Sequence, residues 1–169
     1  MKKLLVLRHA KSSWADPDLA DFDRPLNERG LLAAPFMGSV ITSEGLTPEL
    51  IVGSPAERAK RTAELAKEGG RLASEIRFDD RIYEASPQTL LKVASNVEPK
   101  FASVMIVGHN PGIEGFVRLI TSVLEDMPTA SLAEIDLDIN DWSRIAPGCG
   151  NLIRVIRPKD RMKTRGTSG

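Results

Sequence analysis

Apolar residues along this chain fall into two rhythms. Leu4 to Leu7 form an unbroken apolar run, and so do Leu50 to Val52 and Val104 to Val107. Runs of this kind predict strands buried on both faces of a sheet. Between them the spacing becomes helical. Residues 28–43 carry Leu31, Leu32, Phe36, Val40 and Ile41 on a helical repeat, with Pro35 placed to kink or divide it. Ser54-Pro55-Ala56-Glu57 reads as a helix start, with Ser54 as N-cap, Pro55 at the first position and Glu57 closing a capping box. That helix is expected to reach about Lys67 and to end at Gly69-Gly70. Ser86-Pro87 opens a third helix through Leu90, Leu91, Val93 and Ala94, and Asn110-Pro111 a fourth that buries Ile113, Phe116, Val117, Ile120 and Leu124. From Leu132 to Ile139 apolar residues alternate with Glu134, Asp136 and Asp138, which predicts a strand with one face in water. Residues 152–156 predict a last strand near an edge.

Strands alternating with helices imply an α/β fold, a three-layer α/β/α sandwich on a mostly parallel sheet. Residues 1–157 are expected to form one domain. Residues 158–169 are basic, lack an apolar pattern and are expected to be a flexible tail.

The chemistry concentrates on strand ends. The chain has two histidines. His9 directly follows the first apolar run, and His109 follows the run at 104–107 after Gly108. In a parallel sheet, ligands bind beyond the carboxyl ends of the strands. If these two strands are parallel, both imidazoles emerge on one rim. The strand at 50–52 leads to the same rim, with Arg58 in the first turn of the helix after it. Arg8 lies beside His9. Guanidinium forks match phosphate oxygens, helix N-termini add backbone donors, and a neutral imidazole can attack phosphorus. The set suits phosphoryl transfer without a metal or cofactor. A zinc site of His9, His109 and Cys149 is the competing reading. Its spacing fits no usual zinc pattern, and two arginines oppose a cation.

Composition narrows the partners. Lys+Arg and Asp+Glu each number 23, so the formal net charge is zero. No global field draws in nucleic acid or an anionic membrane. Aromatics are 5%, too few for a base-stacking platform. The single cysteine excludes an internal disulfide. The apolar run after Met1 stops at Arg8, too short for a signal peptide, so a soluble cytoplasmic protein is expected.

Five short blocks then carry a resemblance. Leu7-Arg8-His9-Ala10 resembles the signature of the histidine phosphatase, or phosphoglycerate-mutase-like, superfamily. Ala10 to Trp14, Asp23 to Gly30, Ser54 to Ala59 and Gly108 to Pro111 resemble, in order, its SixA-like phosphohistidine phosphatase branch. The resemblance implies a phosphoglycerate-mutase-like fold, His9 as the phosphorylated nucleophile, and Arg8, Arg58 and His109 as holders of the phosphoryl group. Ala10 departs from the glycine found in much of the superfamily. The resemblance also points to an acid between Arg58 and His109. Glu84 is the candidate, with Asp16, Asp18 and Asp21 as rivals.

The stretch 59–108 holds no long insertion to act as a lid. An open pocket admits a phosphorylated side chain of another protein more readily than it retains a small sugar phosphate. The expected partner is a protein bearing phosphohistidine. The alternatives are a small phosphorylated compound and a non-catalytic phosphate-binding module on the same fold. Lys11, Ser12, Arg24 and Asn110 are candidates for the substrate rim. Trp14 either packs over its loop or meets the partner.

Overall fold

The computed structural model describes residues 1–167, with side chains through Met162. Its strands are β1 (Lys2–Arg8), β2 (Leu50–Gly53), β3 (Glu75–Phe78), β4 (Ser103–Gly108), β5 (Leu132–Leu137) and β6 (Gly150–Ile156). Its helices are α1 (Glu28–Ser43), α2 (Glu57–Gly70), α3 (Pro87–Ser95), α4 (Gly112–Thr121) and α5 (Pro158–Thr167). The strands form one sheet in the order β3-β2-β4-β1-β5-β6. β1, β2, β3 and β4 run parallel, and β5 and β6 return antiparallel. No helix among the described residues is long and apolar enough to cross a membrane.

Strand geometry explains the three layers. Successive side chains point to opposite faces, so each continuous apolar run feeds two cores. Leu4, Val6, Val104 and Ile106 join Leu90, Val93, Phe116, Val117 and the fully buried Trp142 on the face covered by α3 and α4. Leu5, Leu7, Met105 and Val107 join Met37, Ile41, Ala59 and Ala63 on the face covered by α1 and α2. The α1–α2 contact is very close, because a Cβ on Gly38 would collide with the Ala66 carbonyl.

Five details differ from the sequence reading. Leu124, expected on the buried side of the fourth helix, lies beyond α4 and is 66% exposed. Pro35 sits inside α1 without dividing it. The helix after β2 begins at Glu57 behind Ala56, so Ser54 does not cap it. Instead, the Ser54 hydroxyl is drawn to His109. The acidic side of β5 faces water only in part: Asp138 just beyond the strand is exposed and Asp136 half-buried, but Glu134 is not in water. Glu134 is buried and bonded to Lys3 (2.5 Å) and Arg154 (2.8 Å). An unpaired carboxylate there would cost several kcal/mol, so the flanking cations permit an interior strand. Lastly, the stretch read as a tail is helical over Pro158–Thr167. Pro158 suits a first helical position, and Arg161 reaches Glu44 at 2.7 Å. Residues 168 and 169 of that stretch lie outside the described residues.

Candidate active site

The register of β1 against β4 builds the site. Arg8 pairs with Gly108 in a parallel ladder, and His9 N–H donates to the Gly108 carbonyl at 3.0 Å. The next residue on each strand is a histidine. Their ring centroids are therefore 5.2 Å apart. β2 lies on the other side of β4, and Ser54 N–H donates to the Val107 carbonyl. That places the start of α2, with Arg58, beside His109.

Hydrogen bonds hold each imidazole in place. His9 Nδ1 is 2.7 Å from the Ala10 carbonyl, which only a protonated nitrogen satisfies. Nε2 is left with its lone pair. The Ala10 turn is pinned in turn. Its N–H donates to Thr62 Oγ1 (2.9 Å), and the Thr62 hydroxyl donates to the Arg58 carbonyl (2.6 Å). His109 Nε2 is 2.8 Å from Ser54 Oγ, which accepts the Ala56 N–H at 3.2 Å. Ser54 Oγ keeps a second lone pair and its own proton, so this contact fixes the position of the His109 ring and serves either of its tautomers. His109 Nδ1 and Arg8 Nε are both buried without a hydrogen-bond partner among the described residues. Buried polar atoms are rarely left so, and both belong to the residues expected to hold phosphate.

Burial, reinforced by His109, Arg58 and Arg8, lowers the His9 pKa to about 3. Burial and the nearby Arg58 lower that of His109 to about 4. Both rings are neutral at pH 7, as a nucleophile requires. An unfolded histidine titrates near 6.5, so from about pH 6.5 down to 3 the unfolded chain binds more protons than the folded one. Stability must then fall as pH falls through that window. Urea unfolding is expected to show His9→Asn losing less stability between pH 7 and pH 4 than the unsubstituted protein. Equal losses would show that His9 titrates normally in the fold.

Asp21 connects the loop after His9 to the site. Arg58 Nη1 donates to its carbonyl (2.7 Å) and Nη2 to its carboxylate (3.0 Å). Arg24 Nη1 (3.0 Å) and the Tyr83 hydroxyl (2.7 Å) also donate to that carboxylate. The Tyr83 bond, then those from Arg24 and Arg58, hold the Asp21 pKa down to about 2, and the same bond pushes Tyr83 up to about 12. Asp21 is thus a fixed anion that orients Arg58. Tyr83 also sets its ring edge-on to His109, with centroids 5.6 Å apart.

The remaining candidates take distinct places. Glu84 is exposed, has φ of 56°, makes no hydrogen bond among the described residues, and lines a cavity of about 410 Å³ with Asp21, Arg58, Tyr83 and His109. Lys11, Ser12 and Arg24 line a cavity of about 190 Å³ with Arg8, His9, Trp14 and Arg58. Arg24 is buried, bonds Ser12 Oγ at 2.6 Å, and lies 3.2 Å beneath the exposed ring of Trp14. The Asn110 amide nitrogen bonds Glu114 (2.9 Å) and the Met127 carbonyl (3.1 Å), and Arg8 Nη1 donates to that same carbonyl (3.1 Å). Cys149 packs against the core under α3 and α4, and no three His, Cys, Asp or Glu side chains among the described residues are grouped to hold a metal.

The sequence reading missed Tyr83, Ser54, Thr62 and Glu114 as members of this network. Tyr83 is the single tyrosine and adjoins the Glu84 already singled out, which was the one available signal. The others look like ordinary helix and loop residues until the chain is folded.

Comparison with known proteins agrees with the geometry. The family model of the histidine phosphatase superfamily (branch 1) matches residues 4–96, which include His9 and Arg58 but not His109. A Mycobacterium leprae protein, named only as uncharacterised, is 32% identical over 166 residues, covering 90% of this chain and all of the relative. A structure from Agrobacterium tumefaciens, described as a candidate phosphohistidine phosphatase SixA, is 29% identical with a TM-score of 0.79, covering 93% of this chain and 98% of that one. A mycobacterial glucosyl-3-phosphoglycerate phosphatase shares the fold at 18% identity and a TM-score of 0.67, with 90% and 97% covered.

Proposed function

Because this chain belongs to the histidine phosphatase superfamily, we propose that it is a phosphatase that works through a phosphohistidine formed on its own His9, and that its substrate is phosphohistidine on another protein. One observation carries the reading. The His9 Nδ1 bond to the Ala10 carbonyl leaves Nε2 as a neutral nucleophile, 5.2 Å from a second imidazole and flanked by Arg8 and Arg58.

In the proposed reaction, Nε2 attacks phosphorus. The P–Nε2 bond forms as the bond to the leaving nitrogen breaks, and the leaving imidazole keeps that electron pair and takes a proton from solvent water in the open cavity. Arg8, Arg58 and His109 neutralise the equatorial oxygens. Water then adds its oxygen to phosphorus. The P–Nε2 bond breaks back to nitrogen, and the water proton goes to the product phosphate. No step is routed through a metal.

Protein phosphohistidine is favoured over a small ester by the proton supply. Asp21 is held ionised by its three donors, and Glu84 stands exposed at the cavity mouth. Imidazole leaves readily once protonated, whereas an alkoxide needs a firm acid. Glu84→Gln is therefore expected to slow alkyl phosphate esters more than phosphoramidates, by about tenfold or more. An equal effect on both would remove Glu84 from the role of acid. The direct test of the whole reading is a rapid quench under mild base, followed by mapping of the phosphorylated residue. Phosphate on His9 is expected; phosphate on any other side chain sinks it.

A further inference from the structure

A larger hollow adjoins the one that holds His9. Its volume is about 500 Å³, and its walls include Lys11, Arg29, Leu32, Arg157, Lys159 and Met162. Lys11 and Thr129 line both hollows, so a ligand anchored at His9 can extend directly into the second.

The charge of this second hollow is not explained by folding. The whole chain is neutral, yet among the described residues four cationic side chains stand here against one carboxylate of the lining, Asp160. Arg157 is tied to Glu125 and to the Asp126 carbonyl. Lys11, Arg29 and Lys159 are exposed, and their side chains make no hydrogen bond or ion pair among the described residues. Arg29 lies in the first turn of α1 and Lys159 in the first turn of α5. A cation in the first turn opposes the helix dipole, so both positions cost stability and add to a positive field. The apolar part is also open, with Leu32 66% and Met162 37% exposed. The size suits a few side chains or a drug-sized body.

We propose that this hollow receives an acidic, partly apolar segment flanking the phosphohistidine of a protein substrate. Its carboxylates meet Lys11, Arg29 and Lys159, and an aliphatic side chain covers Leu32 and Met162. The inference rests on the reading of His9 given above and adds the substrate's sequence preference to it. The attraction is between exposed charges, so it weakens as salt screens it.

Two phosphohistidine peptides test this, identical except for an Asp/Glu/Leu flank in one and an Asn/Gln/Leu flank in the other. The unsubstituted protein is expected to favour the acidic peptide by roughly five- to tenfold at low salt, through KM rather than kcat. The Arg29→Gln/Lys159→Gln double variant is expected to lose that preference while hydrolysing 4-nitrophenyl phosphate and free phosphoramidate at the unsubstituted rate. Both replaced side chains are exposed, so the fold is retained, and a matching melting temperature checks it. Equal turnover of the two peptides by the unsubstituted protein overturns the inference, as does a preference that survives in the variant. A preference shown only for a small compound with a second phosphate overturns the choice of a peptide. Failure of every probe to phosphorylate His9 would instead sink the function proposed above.

Discussion

Replacing His9 with alanine is expected to lower turnover by at least about 10⁴-fold and to abolish the covalent phospho-enzyme. The size follows from the division of labour at the site. In the proposed reaction Arg8, Arg58 and His109 hold and neutralise the phosphoryl group, whereas the His9 Nδ1 bond to the Ala10 carbonyl leaves its Nε2 lone pair for the attack. His109 has Nε2 engaged by Ser54 at 2.8 Å, which fixes its ring in place. It cannot readily replace the lost nucleophile. The variant should still bind phosphate, because the cationic groups remain. The fold should survive, since His9 is held neutral by burial and its removal strands no charge. The measurement is steady-state turnover of an aryl phosphate together with acid-labile label on the protein. Retained activity with label elsewhere would show that the nucleophile has been misassigned.

Arg58→Ala is expected to have the second-largest effect, a fall in kcat of about 10²- to 10³-fold, as for loss of one preorganised donor to a developing anion. Asp21 adds to the loss. With Arg58 present, its carboxylate is matched at 3.0 Å and its charge serves to aim the guanidinium. Without Arg58, Arg24 and Tyr83 keep it ionised, and the carboxylate oxygen that Arg58 had covered then faces the incoming phosphoryl group. Asp21→Asn is therefore expected to recover part of the activity in the Arg58→Ala background while lowering it in the unsubstituted protein. Arg58→Lys should restore charge but little rate, because an ammonium lacks the planar fork that serves Asp21 and phosphate at once. The four kcat values form a double-mutant cycle. Additive losses would show that Asp21 and Arg58 act independently, and that the contact between them has no part in catalysis.

The positions of His9 and His109 were legible because strands announce themselves locally. A continuous apolar run ending in Arg-His or Gly-His states both the strand and where it stops, and the parallel register of Arg8 with Gly108 then joins the two ends. Arg58 was legible for the same reason, one element later. The capping-box reading of Ser54 failed because a local hydrogen-bond pattern met a stronger distant partner, the buried His109 ring 55 residues away. The strand at Leu132 was read as half-solvated because its alternation is real. Only Glu134 is taken out of water, covered by Lys3 and Arg154 from the neighbouring strands.

By itself the sequence determined the α/β alternation, the strand ends that carry both histidines, and the residue types suited to hold a phosphoryl group. These depend on period, run length and neighbouring residues, which a chain displays before it folds. Only the tertiary structure decided which nitrogen of His9 is free, that Asp21 and Tyr83 hold Arg58 in place, and that Arg29 and Lys159 share one hollow beside the site. Each of those is a contact between segments far apart in the chain, and no local pattern encodes a distance across the fold.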